Sequence, residues 1–348
     1  MLYSCKFKCA FCTGPVRALC FLLLLSCSGG AVSAGEPLIP VLQGNPGRIA
    51  FLDSEGAVAL ETDYSVAEFF QDGMARVCHK KCGYIDSTGQ QRFGFDLEWI
   101  GHRSEGKIPF CEAQGCGFLG LNGEVLIPAR FEQVQSFSEG LAGARQKGLW
   151  GFIDSTGKWK VSPRYGSVDP FSESRASVQD PSPPHLFGLI NKSGEVILKF
   201  KHQRIYSFSG GRARFFHWDR YGFLNSSGIM ELPASLEWAQ DPVSGLAYFI
   251  HENSQGYRVA SQIMLSISCP GGSDFASQDP VVARVRDCES GLFHYIDGKG
   301  NTWKKGFIEA SEFRSGFALA RKDSQDHFLL INASGEEMPL DNGIRPAW

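Results

Sequence analysis

The chain has 348 residues, 34 basic against 37 acidic side chains, and ordinary hydrophobic content. Near-balanced charge excludes a surface that tracks nucleic-acid phosphates, which needs a concentrated excess of Lys and Arg. Forty glycines and 27 phenylalanines, without long apolar stripes at helical spacing, point to short strands joined by tight turns.

In chain order, the first element is a leader. Lys6, Lys8 and Arg17 form a positive n-region, residues 18–25 an apolar core, and Val32-Ser33-Ala34 a small-residue cleavage site. Residues 1–34 therefore read as a signal peptide, and the apolar run is too short to span a bilayer, which takes about 20 residues. Leu24-Leu25-Ser26-Cys27 also reads as a lipobox, so anchoring through Cys27 is the alternative to a periplasmic or secreted chain. No later segment is apolar enough to be a transmembrane span. Residues 35–47 form a lead-in, in which Leu38-Ile39-Pro40-Val41 resembles the third strand of a repeat unit lacking its first two.

Residues 48–340 are repetitive. The stretches AFLDSEG, GYIDSTG, GFLGLNG, GFIDSTG, GLINKSG, GFLNSSG, HYIDGKG and LLINASG end on Gly56, Gly89, Gly123, Gly157, Gly194, Gly228, Gly300 and Gly335. Successive glycines stand 33, 34, 34, 37, 34, 72 and 35 residues apart. The gap of 72 holds one degenerate unit, in which Gly256-Tyr257 keeps step but Gln262 stands where the glycine belongs. A second motif keeps the same period: Phe137-Ser-Glu-Gly140 recurs at Phe171, Phe208 and Phe313 and more weakly at Phe70 and Pro242.

Such a period is one supersecondary unit built repeatedly. WGFID alternates like a strand, and DSTG is its turn: the Asp caps the following amides and the Gly takes the left-handed position. Asn replaces Asp at Asn191 and Asn225, as suits a turn cap and not a catalytic carboxylate. Each unit therefore reads as a three-stranded antiparallel meander of about 34 residues. A meander cannot bury its faces alone, so units must stack, either as a propeller-like ring or as an open superhelical array. The two chain ends offer strands that complete one another, which favours the ring. Residues 341–348 remain as a tail.

The string LWGFIDSTGKW, with FSEGLA before it, resembles the WG-repeat family of bacterial exported proteins. The resemblance spans Arg48 to Leu340 as eight complete or degraded units plus a partial ninth, although only Trp150-Gly151 is a literal WG. It implies a scaffold or binding surface in the cell envelope.

No catalytic constellation accompanies the repeats. The histidines, among them His79, His217 and His251, have no metal-ligand spacing, and Glu336-Glu337 and Asp96 to Glu98 read as solvated. Each turn offers one acidic group, too few for calcium. No metal, cofactor or enzymatic activity is therefore expected. The Asn191, Asn225 and Asn332 sequons read as turns. Trp99, Trp218, Trp238 and Trp303 fall outside the repeated Trp slot and are the candidate binding aromatics. Expected, then, is a non-enzymatic scaffold with a protein partner; a glycan- or peptidoglycan-binding module is the alternative.

Behind the leader stand Cys78, Cys82, Cys111, Cys116, Cys269 and Cys288. An even number in an exported chain favours disulfides. Cys78 faces Cys82 and Cys111 faces Cys116 across hairpins, which predicts two staples and leaves Cys269–Cys288 by exclusion. Zinc bound by CHKKC and CEAQGC is the rival reading.

Overall fold

The computed structural model describes residues 38–43, 48–242, 247–251, 254–259, 262–267, 282–287, 290–297, 301–314, 316–322, 328–340 and 344–346. The leader with Cys27, and Cys269, Cys288 and Gly300, lie outside the described residues.

Every described element is a β-strand, and the strands form nine separate antiparallel sheets. Blade four shows how the local sequence builds one. Leu141–Gln146 pairs with Leu149–Asp154 from Leu141↔Asp154 to Gln146↔Leu149. The turn between them is Lys147-Gly148, both at positive φ (+52° and +77°), the two-residue geometry that matches strand twist. After Asp154 the chain turns through Ser155, Thr156 and Gly157 into Trp159–Tyr165. Asp154 Oδ1 accepts the Thr156 and Lys158 amides at 2.9 and 3.1 Å, and Gly157 sits at φ +80°. Asn191 and Asn225 cap their turns in the same way without a charge.

A fourth strand joins the three that the sequence predicts. It is only two residues long, Gln133–Val134 in blade four, and pairs with Arg145 and Ala144. We letter the strands a to d in each blade, a being this first one, which runs to six residues in blade six (Arg204–Ser209) and is missing among the described residues of blade eight. Its equivalents are Trp99–Ile100, Ser167–Val168 and Trp238–Ala239. Strand a is a sheet edge, and its outward carbonyl needs a donor. The preceding blade supplies it: Arg76 Nε donates to Ile100 O (3.0 Å), Gln135 Nε2 to Val168 O (2.9 Å), and Arg214 Nη1 to Ala239 O.

The FSEG stretch is the a–b loop, and it joins blades in both directions. Phe137 packs edge-on against Phe118 of the preceding blade at 4.7 Å, and Phe171 against Phe152 at 4.6 Å. Forward, Ser138 Oγ donates to Phe171 O at 2.6 Å, and Glu139 accepts the Ser174 amide at 2.9 Å. Ser104 with Phe137 and Ser172 with Phe208 repeat the serine contact.

The cores lie between blades. Phe152, Val161 and Tyr165 of blade four pack with Val168, Phe171 and Val178 of blade five, and equivalent clusters link successive blades from one to seven and eight to nine. Ile39, Val41 and Leu52 of blade one pack with Leu319, Leu330 and Leu340 of blade nine. The ends also share a sheet: Ile344–Pro346 pairs with Ile39–Gln43, with Gln43↔Ile344 and Val41↔Pro346. The architecture is a propeller-like ring closed by its two termini.

The closure differs in detail from the expected one. Ile39–Gln43 forms a hairpin with Arg48–Leu52 and is strand b of blade one, not a third strand. Blade nine has all four of its own strands, and Ile344–Pro346, from the expected tail, is strand a of blade one. The degenerate unit is blade seven, where Val259 pairs directly with Gln262. Gln262 thus opens strand d and does not occupy a turn-glycine position.

Strand d is irregular opposite the motif glycine. Trp150 pairs with Tyr165 and Phe152 with Val161, so one residue of strand c faces three of strand d. A Cβ on Gly151 would lie 2.4 Å from Val161 O, whereas one on Gly157 would meet the Ile127 side chain at 2.9 Å. The two glycines are required for different reasons, close backbone approach and left-handed φ, and this predicts different substitution patterns. In denaturant titrations, Gly157→Val should cost about 1–2 kcal/mol, with Gly157→Asn milder because Asn tolerates that conformation. Gly151→Ala should cost about 1–3 kcal/mol through overpacking, with Gly151→Asn worse than Ala. An Asn that is milder than Ala at Gly151 would contradict the close-approach account.

His202 ends strand d of blade five, in the slot held by Tyr165 in blade four, and is 3% exposed with neither ring nitrogen hydrogen-bonded. Burial, with Lys201 and His217 beside it, pushes its imidazole down to about 4. The unfolded chain, at about 6.5, then binds the proton first, so stability falls as pH drops from about 6.5 toward 4. His202→Phe should remove that part of the acid sensitivity, read as the difference in melting temperature between pH 7.5 and pH 5.

Candidate interaction face

The ring has two faces, set by strand direction. The a–b loops and c–d turns lie on one face and are occupied by inter-blade contacts. The b–c hairpin tips and the starts of the a strands lie on the other.

Two hairpin tips on that second face are stapled. Cys78 pairs with Cys82 in the b–c register of blade two, and Cys111 with Cys116 in blade three. Both pairs are disulfides with Cα atoms 4.0 Å apart. These sulfurs are bonded to one another, so neither pair offers thiolates to zinc. The first staple brackets His79, Lys80 and Lys81, all exposed, and presents them as a basic tip. Among the described residues, no group of three or more His, Cys, Asp or Glu is arranged to hold a metal.

The tryptophans sort by strand position. Trp99 and Trp238 each open a strand a, opposite Cys111 and Ile250 at the b–c end, and are 44% and 37% exposed. Trp218 forms the b–c turn of blade six with Asp219, both at positive φ, and is 77% exposed. Three of the four candidates therefore share one face, on blades three, six and seven. Trp303 does not join them. It lies on strand d of blade eight, half-buried against Tyr295 and Phe313 at 6.4 and 5.5 Å, where it fills the core between blades eight and nine.

Beside the basic tip runs a groove of about 560 Å³ between blades one and two. Tyr64 and Phe95 stack at 6.1 Å along it, with Glu61, Asp63, His79, Lys80 and Gln91 as polar lining. Sequence reasoning missed this groove, because Phe95 lies beyond the end of strand d of blade two, outside the repeat pattern.

The comparisons agree with the repeat architecture. The WG containing repeat matches residues 50–81, 117–150, 150–180 and 187–216, so the chain carries WG repeats at these four positions. No curated protein matches the sequence. Among solved structures, one titled as the eukaryotic initiation factor is similar at 9% identity and TM-score 0.57, over 90% of this chain and 99% of that one. The likeness shows the fold alone. The dihydro-heme d1 dehydrogenase NirN (12% identity, TM-score 0.44, 89% of this chain and 75% of that one) is also similar. So is Citrobacter koseri AztD (11%, 0.42, 88% and 95%). No helix among the described residues is long and apolar enough to cross a membrane.

The staples make a stability prediction. A disulfide closing a loop this short contributes about 2 kcal/mol on the chain-entropy model. Cys78→Ser/Cys82→Ser should lower unfolding free energy by about that amount, and alkylation of the denatured, unreduced protein should label none of the four cysteines. Free thiols at Cys78 and Cys82 with stoichiometric zinc would reverse the assignment.

Proposed function

We propose that this WG-repeat ring is an exported, non-enzymatic scaffold that binds a protein partner in the cell envelope through its b–c face. The observation that carries the reading is the display of Trp99, Trp218 and Trp238 on one face. Exposed tryptophans are costly in water and are enriched among the residues that dominate protein interfaces. The disulfides favour the exported setting, since such bonds persist in oxidising compartments, and they hold neighbouring tips rigid, which lowers the ordering cost of binding. The test compares proteins cross-linked from envelope extract by the wild type and by a Trp99→Ala/Trp218→Ala/Trp238→Ala variant of unchanged melting temperature. One partner is expected with the wild type and lost with the variant; equal capture by both would refute the assignment to this face.

The groove beside Tyr64 and Phe95 favours a second reading, a glycan- or peptidoglycan-binding module, because a stacked aromatic pair flanked by carboxylates and amides suits a sugar ring. Sedimentation with purified cell wall tests it. Retention that falls in Tyr64→Ala supports the module, and absence of retention removes it.

A further inference from the structure

The ring holds a cavity of about 300 Å³ at its axial side, on the a–b loop face. Its lining comes from four blades: Pro40 of blade one, Glu68, Phe69 and Arg76 of blade two, Arg103 of blade three and Arg314 of blade nine. Blades nine and three are not neighbours in the ring, so they reach one cavity only where the blades converge on the axis. At that volume it stands at the lower end of small-molecule sites, roughly 300–1,000 Å³.

The charges inside it are unequally paired. Arg76 is paired: Nε donates to Ile100 O and Nη1 to Glu68 Oε1 at 2.9 Å. His102 Nδ1 meets the same Glu68 oxygen at 2.8 Å, so the one carboxylate lining the cavity is already occupied. Arg103 is 11% exposed at its side chain; Nε donates to Gln71 and Nη2 to Asp72, but Nη1 is buried with no partner among the described residues. Among the described residues Arg314 reaches only Glu312, at 4.0 Å on a half-exposed pair. Two guanidinium groups therefore converge on a half-open cavity with donors to spare. A buried guanidinium N–H without an acceptor is costly, and the group that relieves it best is a carboxylate or phosphate oxygen.

Two features choose between those anions. Glu68 adds a negative charge to the same cavity, which works against a dianion. Of the remaining wall, Pro40, Ala67, Phe69 and Met74 form an apolar side, and the polar Gln71, Tyr84 and His102 are already bonded to Arg103, Gly101 O and Glu68, which leaves an organic body better matched there than the other oxygens of a phosphate. We propose that this axial cavity binds a small organic acid, its carboxylate held by Arg103 and Arg314 and its apolar body against Phe69 and Met74. The site is separate from the b–c face and does not rest on the scaffold reading.

Isothermal titration of the mature full-length protein with 4-phenylbutyrate, inorganic phosphate and 4-phenylbutylamine tests it. Expected are saturable one-to-one binding of the carboxylate, no saturable binding of the amine or phosphate, and at least tenfold weaker carboxylate binding in Arg314→Met. Arg314 is half-exposed and makes no close ion pair, so that variant should fold; Arg103→Met, checked for its melting temperature, should lose binding more completely. The Trp99→Ala/Trp218→Ala/Trp238→Ala protein should bind the acid as the wild type does. Absence of saturable carboxylate binding, preference for phosphate, or undiminished binding in folded Arg314→Met and Arg103→Met would each overturn the proposal.

Discussion

The contact on which the architecture turns is the approach of strand d to the motif glycine. A Cβ at Gly117, Gly151, Gly188 or Gly222 would lie 2.3 to 2.6 Å from the carbonyl oxygen of Ile127, Val161, Leu198 or Leu232. At each of these sites strand d carries extra residues against one glycine of strand c, and such bulges bend a strand and sharpen its twist. The bend delivers the end of strand d to the next blade, where a single residue, Gly166, separates Tyr165 from the Ser167 that opens the next strand a. A long return to the axis is unnecessary. This is why a four-stranded blade fits in about 34 residues when ordinary propeller blades take about 40–45.

With so short a link, neighbouring blades are held by side chains more than by the chain itself. The Phe of FSEG seats on the blade behind, its Ser and Glu bond the loop ahead, and a long side chain of blades two, four, six and eight caps the edge carbonyl of the next. These contacts recur at the repeat period, so stability is close to a sum over neighbouring pairs, as in other repeat proteins. The junction of the two termini is the exception. There the linkage runs through the Ile39–Gln43 pairing with Ile344–Pro346 and through the Ile39, Val41 and Leu319 core. Losing it would expose a sheet edge on blade one and a core face on blade nine.

Much of this was legible in the sequence, and the limits have physical causes. The c–d turn could be read because Asp or Asn followed by Gly at fixed spacing has one mechanical meaning. Strand a could not, because two paired residues leave no alternation to detect. The glycine of the WG motif looked like an ordinary member of a strand; its role depends on the bulge that faces it in the partner strand, which no local pattern announces. Leu38-Ile39-Pro40-Val41 was read as a third strand on its Ile-Pro resemblance, whereas partner availability made it a second. Trp303 resembled the exposed tryptophans by falling outside the repeated slot, but the core between blades eight and nine claims it. The residues lining the axial cavity come from four blades, spread from residue 40 to residue 314, and only ring closure brings them together.

The ring also divides its two faces by duty. On the a–b and c–d face, loop residues are committed to turn caps and inter-blade bonds, so their chemistry must repeat. The b–c tips bond within their own hairpins and to nearby d–a links, as Gly148 does to Glu132 and Trp218 to Gln203, with no contact common to all blades, and are free to differ. They are a Lys-Gly turn in blade four, a Trp-Asp turn in blade six, a longer connection over 180–186 in blade five and disulfide-bounded tips in blades two and three. A face whose units need not match is the one on which a particular partner can be specified, and the tryptophans stand there. The axial cavity is where the committed face nonetheless departs from uniformity. Arg76 follows the edge-capping rule of its slot, but Arg103 and Arg314 extend beyond what inter-blade bonding requires. That surplus of donors at a place where closure is mandatory ties ligand recognition to the completed ring and not to any single repeat.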